Sequence, residues 1–135
     1  MPDLYDGVMR FGGSQDVPVQ NPNGTATVEW SIAGSPWMPL PPMPKTDGAP
    51  DGTRTHASAL TLPTGAVLVL GGQNNNNDAM LSPLIFAEGS WHVDAPNPVY
   101  NRRMYHSAAV LLDDGTVAIG GGDVREYDYE VYRPY

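Results

Sequence analysis

One pattern is written twice into this chain, and it leaves few folds open. Residues 103–122, RMYHSAAVLLDDGTVAIGGG, hold an apolar run at 107–112, turn chemistry at Asp113-Asp114-Gly115, and a second apolar run at 116–119 that closes on Gly120-Gly121-Gly122. Subtracting 50 takes His106 to His56, Leu112 to Leu62, Gly115 to Gly65, Val117 to Val67 and Gly121-Gly122 to Gly71-Gly72. A looser third copy lies near the start, where Val8-Met9-Arg10-Phe11-Gly12-Gly13 aligns with Val67-Leu68-Val69-Leu70-Gly71-Gly72 at an offset of 59.

A period of about 50 residues with paired strands and a double glycine is the spacing expected of kelch-type propeller blades. A small twisted sheet cannot bury both faces alone, so blades stack radially and their apolar strands pack on neighbours. The glycines let inner strands crowd near the axis. Gly 15 and Pro 14 favour many short strands and turns, and no window shows sustained helical periodicity. The expectation is an all-β fold: a partial kelch-type β-propeller of about two and a half to three four-stranded blades. A closed propeller needs about four to eight blades, so one chain is not expected to close the ring.

Residues 1–52 read as a first, incomplete blade with its connector, 53–101 as a complete blade and 102–135 as a last, incomplete one. In the first, strands are expected at 8–11 and 25–32, separated by a polar loop. PWMPLPPMP at 36–44 is too rich in proline for a central strand and reads as edge strand and connector, with Trp37 plugging between blades. In the second, strands are expected at 56–62, 66–70, 82–86 and 90–93. The asparagines 74–77 and Asp78 between them read as a solvated loop, since a calcium site gathers carboxylates at alternate positions about a glycine turn. APNPVYN at 95–101 repeats the proline-rich exit. In the third, Tyr127, Tyr129 and Val131 alternate with Asp128, Glu130 and Tyr132 as in a strand. Tyr127, Tyr129, Tyr132 and Tyr135 read as packing residues or as a carbohydrate-stacking face. Arg54 and Arg103 precede equivalent strands and are expected to hold neighbouring-blade carbonyls or a carboxylate. The pattern is expected to begin one strand late and finish one strand early, leaving open edges.

A formal charge of -8, with only 7 Lys+Arg, speaks against nucleic acid and anionic membrane as partners. No apolar run approaches the roughly 18 residues of a membrane-spanning helix. The start, MPDLYDGVMRFGG, lacks the basic and apolar regions of a secretory leader. Cys is 0, which excludes disulfides and thiolate metal sites within these residues. There is no nucleophile elbow, phosphate loop or His-Glu-x-x-His helix. Asp113 and Asp114 are neighbours in a turn, pointing apart, and make a poor acid–base pair.

Arg103-Met104-Tyr105-His106-Ser107, followed by LLDDG, GGG and EVYRPY, resembles the copper-radical oxidase family, the galactose oxidase and glyoxal oxidase group. Arg54-Thr55-His56-Ala57-Ser58, Leu62-Pro63-Thr64-Gly65 and Leu70-Gly71-Gly72-Gln73 continue the resemblance in matching order. It covers residues 53–135 well and 8–14 loosely. The Tyr-His pair is its specific part, because Gly-Gly and Asp-Gly elements occur in kelch repeats generally.

The resemblance implies copper, with Tyr105 as an axial ligand able to take the substrate proton and His106 as an equatorial ligand. It implies oxidation of a primary alcohol or aldehyde by O2 to give H2O2, and an extracellular setting. The chemistry is sound: a neutral imidazole suits Cu(II), and bound Cu(II) lowers the pKa of a phenol, which then can serve as general base. The family also uses a second tyrosine cross-linked to cysteine and a second histidine from a C-terminal domain, which these residues do not supply. His56 is the repeat-equivalent of His106 one blade away, a position the family does not use as a ligand, and His92 is expected to face solvent. Two protein ligands hold copper weakly, so activity from this chain alone is not expected. The partners expected are further blades from a partner chain or a homo-oligomer, and carbohydrate or a small alcohol or aldehyde. The alternative is a non-enzymatic propeller module completed by self-association or by a partner chain.

Overall fold

The computed structural model describes residues 7–14, 24–46, 51–94, 102–122 and 128–134. These contain ten strands: β1 (Gly7–Phe11), β2 (Val28–Ile32), β3 (Met38–Leu40), β4 (Thr55–Thr61), β5 (Val67–Gln73), β6 (Leu84–Ala87), β7 (Ser90–Val93), β8 (Ser107–Leu111), β9 (Val117–Gly121) and β10 (Tyr129–Tyr132). They form three antiparallel sheets in the orders β1-β2-β3, β4-β5-β6-β7 and β10-β9-β8. No helix is present among the described residues, and the fold is the expected all-β partial propeller, which the three sheets do not close.

Alternation within the central strand explains the stacking. Leu68 and Leu70 of β5 point into a cluster with Leu62, Val117, Ile119 and Tyr132, between the second and third sheets. Val69, between them in sequence, points the other way and packs with Val28, Met43 and Leu84 against the first sheet. A strand sandwiched on both faces carries apolar side chains on both, and β5 accordingly opens with the unbroken run VLVL. Single strands facing solvent on one side, such as β8, alternate instead.

The turns repeat as closely as the strands. Gly65 N–H donates to the Leu62 carbonyl (2.8 Å) and Gly115 N–H to the Leu112 carbonyl (2.9 Å), and both glycines have φ above +80°. The double glycines allow backbone of the next sheet to approach. Gly71 has φ +67°, and a Cβ there would lie 2.2 Å from the Arg103 carbonyl oxygen. Gly13 N–H donates to the Arg54 carbonyl at 3.0 Å, and Gly72 N–H donates to the Arg103 carbonyl at 2.6 Å, so successive sheets are joined by the same bond.

Three expectations are corrected or refined. Trp37 does not plug between sheets: it is 41% exposed, with the Arg10 guanidinium 4.3 Å from its ring centroid. β3 lies at the edge of its sheet, and there Leu40, not Trp37, packs on the cluster shared with the second sheet. Trp91 of β7 makes the crossing instead, its indole N–H donating to the Pro41 carbonyl at 2.8 Å. Arg103 holds the Asp128 and Glu130 carboxylates, the second of the two expected partners, whereas Arg54 reaches carbonyls of its own sheet; it is the backbone carbonyls of both that meet the preceding sheet. In the loop after β5, residues 75–78 are exposed as expected, but Asn74 is buried and its Oδ1 accepts from the N–H groups of Asn76 and Asp78. That closed arrangement satisfies the oxygen a cation would need. Tyr129 is exposed while Tyr132 is buried with its hydroxyl on Asp94; Tyr127, Tyr135 and the 95–101 link lie outside the described residues.

Candidate functional site

The segment before β8 differs from the one before β4 by a single residue. Arg54 and His56 are separated by Thr55, whereas Arg103 and His106 are separated by both Met104 and Tyr105. In the second sheet, Thr55 stays in the ladder opposite Gln73. In the third, the additional residue is taken up by a tight turn: the Met104 carbonyl accepts both the Ser107 N–H (3.1 Å) and the Ser107 hydroxyl (2.7 Å). Tyr105 and His106 occupy the tip of that turn.

His106 has φ +62° and His56 has φ +55°. The left-handed region is sparsely populated by non-glycine residues and costs on the order of 1 kcal/mol each, and such residues cluster at functional sites. Gly121 faces the turn, with φ +75°, and a Cβ there would lie 2.9 Å from the His106 carbonyl oxygen. The double glycine therefore helps to admit the turn.

β4 and β8 lie beside each other in neighbouring sheets, so His56 and Tyr105 meet across the boundary. The Tyr105 and His106 rings are 3.7 Å apart between centroids at an interplanar angle of 38°. The His56 ring is 5.1 Å from that of Tyr105 at 69°, edge to face. All three side chains are exposed, Tyr105 by 48%. A phenol flanked by two imidazoles is thus presented to solvent at the starts of two adjacent strands.

Chemically, this set offers one phenol oxygen and imidazole nitrogens, donors that suit Cu(II) and related divalent metals. Among the described residues no group of three or more His, Cys, Asp or Glu side chains could hold a metal, so any such site must draw on the phenol. Tyr105 and His106, singled out in the sequence, are together at the turn. His56 joins them, which the sequence signals only through its repeat offset from His106. His92 is exposed on β7, outside this group.

Beneath the turn, Arg103 is fully enclosed. Its guanidinium donates to Glu130 Oε2 (2.9 Å), Asp128 Oδ1 (3.0 Å) and the Gly121 carbonyl (3.0 Å), tying the residue that leads into the turn to β9 and β10. Arg54 is equally buried, and burial pushes its pKa down to about 10.

No family model matches the sequence. Two galactose oxidases of Gibberella zeae are 28% identical over an alignment of 151 residues that covers 97% of this chain and 21% of theirs. A fungal alcohol oxidase of the AA5 family, solved in complex with copper, superposes with a TM-score of 0.78 at 22% identity, over 96% of this chain and 28% of that one. The chain resembles galactose oxidase along nearly its whole length and shares its fold with part of the alcohol oxidase. It spans about a fifth of the length of the curated relatives it matches.

Proposed function

We propose that this chain forms part of a copper-dependent oxidase of the galactose and glyoxal oxidase kind, with Tyr105 and His106 as two of its copper ligands. The observation that carries the reading is the Tyr105–His106 pair at the tip of its turn, its rings 3.7 Å apart and open to solvent. It stands in a sequence 28% identical to galactose oxidases. The reaction is oxidation of a primary alcohol or aldehyde, two electrons and two protons passing to O2 to give H2O2.

When bound, copper would supply a redox centre and a Lewis acid that lowers the pKa of a ligating phenol. The Tyr105 phenolate takes the proton of an incoming hydroxyl as general base. His106, held by its left-handed backbone and the Ser107–Met104 bonds, presents its imidazole beside that phenol. The Arg103 network fixes the approach to the turn. The second redox tyrosine implied by the resemblance requires a cysteine cross-link, and none of these 135 residues is cysteine. That part of the machinery is assigned to other residues of the functional assembly.

A copper titration followed by visible absorption, with a peroxide assay on a primary alcohol, tests the reading in the assembled protein. Copper uptake that is lost in Tyr105→Phe and His106→Ala, with peroxide formed only in the copper-loaded sample, is the expected result. An assembled sample that takes up no copper ends it.

A second reading is a propeller module that binds without catalysis and is completed by another copy or a partner chain. What favours it is a groove of about 300 Å3 beside β1, lined by Met9, Phe11, Ala59, Thr61 and Val67. Among the described residues β1 pairs on one side only. A defined homo-oligomer by light scattering, with no copper uptake, is its signature.

A further inference from the structure

We infer that His56 is a third donor to the metal at Tyr105 and His106, so that the site is shared between two neighbouring sheets. The inference rests on the copper-site reading above and extends it to a position in the second sheet.

Three observations carry it. First, the Tyr105 ring meets two imidazoles, not one: His106 at 3.7 Å and His56 at 5.1 Å between ring centroids. Second, the two histidines are repeat-equivalents held by the same unusual backbone, φ +55° and +62°. A left-handed non-glycine residue is unfavourable wherever it occurs, and here both imidazoles of the cluster carry that cost. At His56 the ladder is interrupted: Thr55 and Ala57 on either side pair with Gln73 and Gly71, while Gly72 N–H turns away to the Arg103 carbonyl, and the His56 side chain is left at the sheet boundary beside Tyr105. Third, all three side chains are open to solvent, so a metal can enter without unfolding either sheet.

The donor count supports the assignment. A phenolate and one imidazole give Cu(II) two protein ligands from one turn. Adding His56 gives a two-nitrogen, one-oxygen set, a combination that suits Cu(II) better than carboxylate-rich hard-cation sites. Held in this way, a metal would tie β4 to the turn before β8, adding to the Gly72–Arg103 backbone bond that joins β5 to the same segment.

The test uses the whole chain, CuSO4 as probe, electron paramagnetic resonance and competition with a chelator. His56→Asn and His106→Asn are the informative variants, because Asn tolerates a left-handed backbone and its amide would add no imidazole nitrogen signal. Unchanged circular dichroism and melting midpoint establish that each variant keeps the fold. The expected result is nitrogen superhyperfine structure from two imidazoles in the wild type. Each variant should lose one nitrogen and bind Cu(II) at least about tenfold more weakly. If His56→Asn keeps the wild-type spectrum and affinity while His106→Asn loses both, His56 is not a ligand and the copper-site reading survives without it. If the wild-type chain takes up no Cu(II), the three-donor inference falls, while the copper-site reading is decided by copper uptake in the assembled protein. If His56→Asn does not fold, the wild-type nitrogen count alone decides: one imidazole overturns the inference and two support it.

Discussion

Arg54 and Arg103 hold the same place in consecutive sheets, yet only Arg103 faces carboxylates. Arg54 donates to the Gly71 and Ser82 carbonyls at 3.1 and 2.9 Å, and Arg103 donates to the equivalent Gly121 and Asp128 carbonyls at 3.0 and 3.3 Å. Register makes Leu84 the counterpart of Glu130, because they pair with Val69 and Ile119, which are themselves repeat-equivalents. The second sheet therefore buries a cation on carbonyls alone, and it gains a leucine in the core that joins it to the first sheet.

That difference predicts unequal costs. Arg103→Met removes the guanidinium paired with Glu130, whose side chain is only 15% exposed, and should destabilise the chain by about 3 kcal/mol. Arg54→Met leaves two carbonyls short of a donor but also removes a cation that is costly to bury, so the net loss should be about 1 kcal/mol. Because burial holds the Arg54 pKa near 10, below its ordinary value, the cost of its charge is constant at lower pH and eases only above that value. Urea melts at pH 7 decide the matter, and equal losses in the two variants would refute the distinction.

Two glycines separate crowding from backbone conformation. Gly71 and Gly115 both have positive φ, at +67° and +82°. A Cβ on Gly115 would meet nothing within 4 Å, whereas one on Gly71 would sit 2.2 Å from the Arg103 carbonyl oxygen. Gly115→Ala should cost about 1 kcal/mol, the penalty of a left-handed alanine. Gly71→Ala must also push the second and third sheets apart, and should cost about 4 kcal/mol or prevent folding. Comparable melting midpoints for the two would show that the sheets are not held as close as this contact requires.

Acid should weaken the chain through two aspartates. Asp51 accepts from the Thr53 hydroxyl and N–H, and Asp114 accepts from the Thr116 hydroxyl and N–H; these bonds hold both carboxyls below the ordinary range. A carboxyl whose pKa is lowered on folding adds stability above its unfolded value near 4, and that contribution disappears as pH falls through the folded value. Unfolding titrations between about pH 5 and 2 should show an acid limb that is shallower in the Asp51→Asn, Asp114→Asn double variant. An identical limb in both proteins would assign the acid sensitivity elsewhere.

Much of the architecture can be read from periodicity alone. Strands β4, β5, β8 and β9 fall on the repeated apolar runs, and the turn glycines Gly65 and Gly115 stand where the pattern requires. What periodicity does not specify is which way a residue faces across a sheet boundary. Trp37 and Trp91 both adjoin proline-rich connectors or outer strands, and only the packing distinguishes the exposed one from the one that reaches the other sheet. Tyr105 and His106 were legible as a pair because they are adjacent in sequence. The approach of His56 was not, because it depends on one extra residue between Arg103 and His106 turning Tyr105 toward the neighbouring strand.

The two tryptophans supply a further test. Trp91 packs on Phe86 with ring centroids 5.0 Å apart, and its N–H donates to the Pro41 carbonyl, linking β7 to the connector that follows β3. Trp91→Phe keeps most of the apolar contact and removes the donor, so it should cost about 1 kcal/mol or somewhat more where the ring volume is lost. Trp37 is half-exposed against Arg10, whose guanidinium also pairs with Glu29. Trp37→Phe weakens a solvated cation–π contact and should cost no more than about 0.5 kcal/mol. Denaturant midpoints in which Trp37→Phe is the more damaging change would mean that the Trp91–Pro41 bond adds little to the joining of the first and second sheets.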